Sequence, residues 1–148
     1  MRLGGIPAVH PAGDSGLWLR HWRLLQSQAA SEADCQLILN ASPMHGIGKI
    51  GIPDTIRLKP SKFEPHEWKI MKTHAAIGGK PLEGDASDLM RMAQESALTH
   101  HEKWDVSGYP NGLSGEATPQ AGRIAALADA FDAMISVRPY KQAWTVKA

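Results

Sequence analysis

Four of the seven histidines in this chain of 148 residues fall at or near predicted helix ends or on a helix face: His45, His74, His100 and His101. Imidazole is a common metal ligand, and its charge changes near neutral pH. Consecutive helix residues point about 100° apart, so His100 and His101 can bind one ion only near a frayed helix end, or else address two sides of a polynuclear site. The spacing therefore predicts a metal site, although any one of these histidines taken alone is more often an ordinary surface or helix-end residue.

Asp129 stands in an otherwise apolar run from Ala125 to Ala130. A carboxylate is costly to bury without a partner, so such a residue usually pairs or binds a metal. Imidazole and carboxylate together suit Fe, Mn, Zn or Ni and do not decide among them. A solvated helix face remains the alternative for Asp129 and Asp132, and His10, His21 and His66 are assigned to ordinary surface positions.

The composition excludes several classes of protein. The net charge is +1, from 16 Lys and Arg against 15 Asp and Glu, so no overall positive field predicts DNA binding or an anionic membrane as partner. The one cysteine, Cys35, cannot form an internal disulfide, which favours a reducing compartment. No run approaches the roughly 20 apolar residues of a membrane span. We expect one soluble, cytoplasmic domain.

The elements that must position the candidate ligands are helices, because apolar residues recur at helical spacing and no segment alternates as a strand does. An irregular lead-in, 1–16, precedes them. The predicted helices are Leu17 to Ala30, one capped by Ser31 that runs toward His45, Pro65 to Ile77, one capped by Asp85 or Ser87 that runs to His101, and Ala121 to Ser136. The predicted fold class is all-α.

Two glycine-rich segments interrupt this pattern. Gly46, Gly48, Gly51 and Pro53 break the periodicity after His45. Lys103 to Pro119 contains so many glycines and prolines that a long loop is predicted, and loops of this length are often functional. The last helix is predicted to have an apolar stripe, formed by Ile124, Leu127, Ala128, Phe131, Met134 and Ile135.

Five blocks of sequence, in order and at matching spacing over about Ser31 to Trp144, resemble the HD-GYP family of cyclic di-GMP phosphodiesterases. The blocks are ASPMHGIGKIGIP at Ala41–Pro53, KIMKTH at Lys69–His74, HHEKWDVSGYP at His100–Pro110, RIAALADAFDAM at Arg123–Met134 and RPYKQAW at Arg138–Trp144. The resemblance implies the HD-superfamily helical bundle over 17–148, with the family's C-terminal helices missing after Ala148.

By position, the resemblance implies roles for single residues. The implied metal ligands are His45, His74, His100, His101 and Asp129. Lys49 corresponds to the lysine that neutralises phosphate during catalysis, and Tyr109, Arg138 and Lys141 correspond to substrate-binding residues. The implied cofactor is one or two divalent ions, Fe or Mn first, which activate water for hydrolysis of a phosphodiester.

Two positions depart from the family pattern. Gly46 stands where the family has an aspartate that bridges two metals, and Trp18 stands where it has a histidine ligand. An indole offers no lone pair to a metal, so we expect a weakened or mononuclear centre. His21 is a poor substitute for the missing ligand, and Trp18 with Trp22 could instead fill the vacated space.

Three functions stay open at this point. The first is metal-dependent hydrolysis of cyclic di-GMP to the linear dinucleotide or GMP. The second is a catalytically impaired domain of the same fold that binds a nucleotide or a protein, since the family's GYP loops are associated with diguanylate cyclase domains. The third is hydrolysis of another nucleotide, which the intact GYP sequence disfavours.

Overall fold

The computed structural model describes residues 31–84 and 86–135 of the chain. Within these ranges the longer elements are all helices. They are α1 (Glu32–Ala41), a 3-10 helix (Ser42–Gly51), α2 (Asp54–Arg57), α3 (Pro65–Lys72), α4 (His74–Gly79), α5 (Asp88–Thr99) and α6 (Gln120–Ile135), with short 3-10 turns at Lys80–Leu82 and Gly115–Ala117. The predicted all-α class is confirmed, and the one β-bridge among the described residues joins Asp105 to Ser114 inside the long loop.

The helix starts follow from side chains that satisfy free backbone N–H groups. Ser31 Oγ accepts from Asp34 N at 3.1 Å, and Asp34 Oδ2 accepts in return from Ser31 N at 3.2 Å, which completes a capping box. Ser87 caps α5 by accepting from Met90 N at 3.2 Å. Ser31 and Ser87 are therefore confirmed as caps. Asp85, the other candidate for α5, is outside the described residues.

The segment Ser42–Gly51, predicted to interrupt the helices, keeps a helical path but winds it more tightly as a 3-10 helix. The predicted helix from Pro65 to Ile77 is divided at Thr73 into α3 and α4. Pro65 occupies the first turn of α3, as expected, because a proline there lacks only an N–H that would be unpaired anyway.

Three clusters of buried side chains hold these helices together. Cys35, Ile38 and Ala121 join α1 to α6. A second cluster packs α5 against α1 and the 3-10 helix, and its buried residues are Ala41, Leu82, Ala93 and Ala97. In a third cluster, α2 packs against α3 through Ile52, Ile56 and Met71. Removal of this apolar surface from water is the main stabilising term.

The predicted apolar stripe of α6 is wrong at Leu127, which is 58% exposed. The buried side of the helix passes through Ala121 and Ala125. Positions two residues apart lie about 200° apart around a helix, so Leu127 faces away from the side that Ala125 buries.

Several expectations lie outside the described residues. These are the lead-in 1–16, the helix Leu17–Ala30 with Trp18, His21 and Trp22, and the segment that contains Arg138 and Lys141. None of the helices in the described part of the chain has the length and apolar content needed to cross a bilayer.

Candidate metal centre

Three imidazoles meet in the interior of the described bundle. His74 is the first residue of α4, His100 caps the C-terminal end of α5, and His101 follows it. Their possible ligand atoms all lie within 4.8 Å of one another. The two neighbouring histidines lie where α5 ends: His100 keeps a helical backbone and donates its N–H to Ser96 O, and His101 is the next residue. A helix end is one of the two arrangements that the sequence left open for this pair.

Backbone carbonyls fix how two of these rings point. His74 Nδ1 donates to Met71 O at 2.6 Å. His100 Nδ1 lies 3.0 Å from both Ser96 O and Ala97 O and donates there. Since a carbonyl only accepts, the proton of each neutral ring is on Nδ1 and the lone pair is on Nε2. The two Nε2 atoms lie 3.2 Å apart, so two lone pairs face each other.

Burial keeps these histidines uncharged. Loss of hydration, reinforced by the nearby imidazoles, lowers the pKa of His100 to about 2 and that of His101 to about 4. Burial also lowers the pKa of His74. Neutral imidazoles offer lone pairs at pH 7, which is the form that binds a metal.

A second pair of candidate ligands lies beside the cluster. His45 Nε2 is 3.8 Å from Asp129 Oδ1, and both side chains are 21% exposed. His45 Nδ1 donates to Ser42 O at 2.7 Å, which directs Nε2 toward Asp129. The His45 and His100 ring centroids are 5.0 Å apart. The pair is therefore continuous with the three imidazoles.

Asp129 is held as a carboxylate. Burial opposes its ionisation, but the His45 imidazole and the positive charge of Lys49 outweigh that effect and place the pKa of Asp129 below its usual range. The candidate centre thus combines neutral nitrogen ligands with one negative oxygen ligand, a set that suits a first-row divalent metal.

Close backbone packing brings the 3-10 helix onto α4. A Cβ on Gly48 would lie 1.9 Å from His74 O and 2.4 Å from Gly78 N, so no side chain fits. This contact places His45 and Lys49, which flank Gly48, against the helix that begins at His74. The glycines first interpreted as helix breakers also serve as a packing surface.

Gly46, by contrast, borders space. A Cβ built there would meet Lys49 Nζ at 3.6 Å and the nearby carbons of the same side chain at 3.7 and 3.8 Å, which are ordinary contact distances. No carboxylate is available at this position, although the backbone leaves room for a Cβ. Among the described candidate ligands, His45 and Asp129 are the two that lie outside the group of three imidazoles.

The predicted long loop, Lys103 to Pro119, packs against the imidazoles through Tyr109. Tyr109 N donates to His101 O at 3.1 Å, and the Tyr109 ring stacks on His101 with centroids 4.7 Å apart. Burial raises the pKa of Tyr109, so the phenol stays protonated. A Cβ on Gly108 would lie 2.5 Å from Glu102 Cα. Glycine is required here because the loop folds directly back onto the chain that follows His101.

Glu102 is a residue that the sequence analysis missed. Its carboxylate is buried at 5% exposure. One oxygen accepts from Asn111 N at 2.7 Å and the other from Leu113 N at 2.9 Å. Glu102 therefore holds the loop on both sides of the turn that follows Tyr109. Its position directly after the histidine pair was the available signal.

The residues present fit a bound cation. Two opposed lone pairs at 3.2 Å repel each other unless a positive ion lies between or beside them, and His101 supplies a third nitrogen within the same 4.8 Å group. Three protein ligands plus water form many catalytic metal sites. The structure brings together His45, Lys49, His74, His100, His101, Tyr109 and Asp129, whereas Arg138 and Lys141 are outside the described residues.

An all-α fold in which histidines and an aspartate from separate helices come together is the arrangement that the resemblance to the HD superfamily implied. A family model described as an HD domain matches residues 21–148. The chain belongs to the HD domain family and, within it, to the HD-GYP group.

Characterised relatives share about half of the aligned residues. A cyclic di-GMP phosphodiesterase of Thermotoga maritima is 50% identical over 119 residues, which cover 80% of this chain and 32% of the relative. A cyclic di-GMP phosphodiesterase response regulator of Xanthomonas campestris is 48% identical over 118 residues, 80% of this chain and 31% of the relative.

A relative with a different named substrate is equally similar. A 3'3'-cGAMP-specific phosphodiesterase of Vibrio cholerae is 48% identical over 123 residues, which cover 83% of this chain and 24% of the relative. The chain spans a quarter to a third of the length of these three proteins.

Proposed function

We propose that this chain hydrolyses a phosphodiester bond of a cyclic dinucleotide, with cyclic di-GMP as the first substrate and the linear dinucleotide or GMP as product. The observation that supports this most directly is the group of three neutral imidazoles, two buried and one half-buried, whose ligand atoms lie within 4.8 Å of one another. The names of the relatives support the substrate class, since they act on cyclic di-GMP or on 3'3'-cGAMP.

His74, His100 and His101 are proposed to hold one divalent ion, with Fe or Mn as the first choices. When bound, such an ion supplies Lewis acidity toward phosphoryl oxygens and makes water a stronger acid. His45 and Asp129 are proposed as ligands of a second ion. Two protein ligands rarely hold a metal tightly, so we expect this ion to be weakly bound or absent.

The remaining residues are proposed to bind and orient the substrate. Lys49 supplies a fixed positive charge next to Asp129, where it can neutralise a phosphoryl oxygen as charge develops. Tyr109 covers His101 and excludes water from that side of the centre. Arg138 and Lys141 are proposed to contact the substrate phosphates, because a planar guanidinium and an ammonium both suit a phosphate.

We also propose a cytoplasmic location, because the substrates of the family that this chain resembles are intracellular messengers. Contact of the GYP loop with diguanylate cyclase domains stays a prediction. A catalytically impaired binding module is the second candidate function, and the absence of a carboxylate at Gly46 is the observation that favours it.

Metal analysis combined with a hydrolysis assay tests the proposal. Protein purified without added metal is analysed for bound ions, then supplied with Fe, Mn or Ni and assayed with cyclic di-GMP. Bound metal and linear dinucleotide or GMP as product are the expected results. If the protein binds cyclic di-GMP but hydrolyses none of it with any of the three metals, the enzyme hypothesis is rejected in favour of the binding module.

A further inference from the structure

Three aromatic side chains form a continuous strip from the imidazole cluster to the surface. Tyr109 stacks on His101. Trp68 meets Tyr109 edge to face with centroids 6.3 Å apart, and Phe63 lies nearly parallel to Trp68 at 6.1 Å. We call Phe63, Trp68 and Tyr109 the aromatic strip. It connects the candidate metal centre with solvent.

A cation lies over this strip. Lys72 follows Trp68 by four residues on α3, so the two side chains share a helix face. Lys72 Nζ is 5.7 Å from the Trp68 ring centroid and 5.2 Å from that of Tyr109. The strip therefore presents flat π surfaces together with a positive charge.

Trp68 is not the residue that attaches α3 to the core. Met71 is buried and packs against Ile52 and Ile56, whereas Trp68 is 43% exposed. An indole that stays open to solvent beside a lysine and next to a metal centre has the chemistry of a nucleobase platform, because bases stack on aromatic faces.

We propose that the aromatic strip, chiefly Trp68, stacks one base of the cyclic dinucleotide while Lys72 pairs with an adjacent phosphate. This rests on the proposed function, and it adds two residues, Trp68 and Lys72, to the substrate site. Because base and phosphate belong to one nucleotide, a phosphodiester at the imidazoles keeps a base within reach of Tyr109, which stacks on His101. Every base has a π face, so stacking gives affinity without choosing guanine over adenine.

Binding measurements on the full chain test this role. Calorimetric titration of the metal-loaded protein with a phosphorothioate analogue of cyclic di-GMP, which resists hydrolysis, gives Kd for each variant. Trp68→Leu keeps an apolar side chain but removes the aromatic face, and should weaken binding about 10-fold. Trp68→Phe should stay near wild type. Trp104→Leu is the matched control, because Trp104 is 66% exposed in the long loop.

The lysine is tested in the same way. Lys72→Met should weaken binding several-fold and make the remaining affinity less sensitive to salt. Lys69→Met, an exposed lysine on the same helix, should change neither property. We expect Trp68→Leu to raise KM for cyclic di-GMP and 3'3'-cGAMP by similar factors and to leave kcat nearly unchanged.

The outcomes separate this inference from the function on which it rests. If the wild-type chain binds no cyclic dinucleotide, the proposed function fails and the inference fails with it. If wild type binds and both Trp68→Leu and Lys72→Met bind as tightly, only the inference is overturned. A merely structural role would lower the melting temperature of Trp68→Leu without changing the Kd of the folded protein, and that result also overturns it.

Discussion

His74 and His100 are 26 residues apart in sequence, yet their Nε2 atoms lie 3.2 Å apart with both lone pairs directed at the same point. Each Nδ1 donates to a backbone carbonyl three or four residues earlier in the chain. The rings therefore cannot relieve the opposition by a change of tautomer without loss of a buried hydrogen bond. A bound cation relieves it directly, which is why the pair is central to the predictions below.

Replacement of His100 by Asn should remove metal and activity together. The variant loses one of three nitrogen ligands, so we expect metal affinity to fall at least about 10–100-fold and hydrolysis to fall at least as far. Elemental analysis and the cyclic di-GMP assay measure both effects. His66→Asn is the control, because His66 is exposed on α3. Full metal content in His100→Asn would contradict the three-imidazole assignment.

Replacement of Gly46 by Asp should add a ligand to the second metal position. A Cβ fits at position 46 at 3.6 Å from Lys49 Nζ, and we expect the new carboxylate to reach the same ion as the adjacent His45. We expect the bound metal to rise toward two ions per chain and turnover to increase. Gly46→Asn has nearly the same shape without the charge and should show neither gain. An unchanged metal count in Gly46→Asp would exclude the missing carboxylate as the defect.

The fold and most of this centre could be predicted from the sequence, and the exceptions have physical reasons. His100 and His101 were recognisable because a helix visibly ends there. Glu102 was not, because its two hydrogen bonds form only when residues 111 and 113 fold back on it. Gly48 looked like a helix breaker, since the helix that fills its missing side chain begins 26 residues later. Contacts between residues that are distant in the sequence leave no periodic pattern in the local sequence.

Acid should destabilise the metal-free protein below about pH 6.5. His100 and His101 have folded pKa values of about 2 and about 4 against 6.5 for an unperturbed histidine. As the pH falls through 6.5, these histidines bind protons in the unfolded chain but not in the folded chain. The free energy of unfolding therefore decreases. Each histidine contributes about 1 kcal/mol per pH unit down to about pH 4.

Urea denaturation at about pH 7.5, 6 and 5 measures this dependence. The His101→Asn variant, which lacks one of the two groups, should lose stability less steeply over the same interval. Stability that is constant from pH 7.5 to 5 would contradict the assignment of buried, neutral histidines.

Val106→Gly should stabilise the long loop. Val106 has φ of 69°, a left-handed conformation that a β-branched residue strains to adopt. Its side chain is 55% exposed, so little packing is lost. The relief of strain exceeds the added flexibility of glycine, and we expect a gain of about 1 kcal/mol. Val106→Ala retains a Cβ and should gain less. A lower melting temperature for Val106→Gly would show that the valine side chain stabilises the loop.

Glu102→Ala should loosen the loop that places Tyr109 over His101. The substitution leaves Asn111 N and Leu113 N without their carboxylate partner, and loss of a hydrogen bond to a charged group costs about 1.5–3 kcal/mol. Glu102→Gln retains one good acceptor and should have an intermediate effect. Because the ligands themselves remain, we expect metal content to be preserved while KM for cyclic di-GMP rises. Glu116→Gln, an exposed acid in the same loop, is the control for lost charge. Two results together would contradict this role: loss of metal in Glu102→Ala and an unchanged KM in Glu102→Gln. They would show that Glu102 positions the imidazoles and that the loop does not depend on its carboxylate.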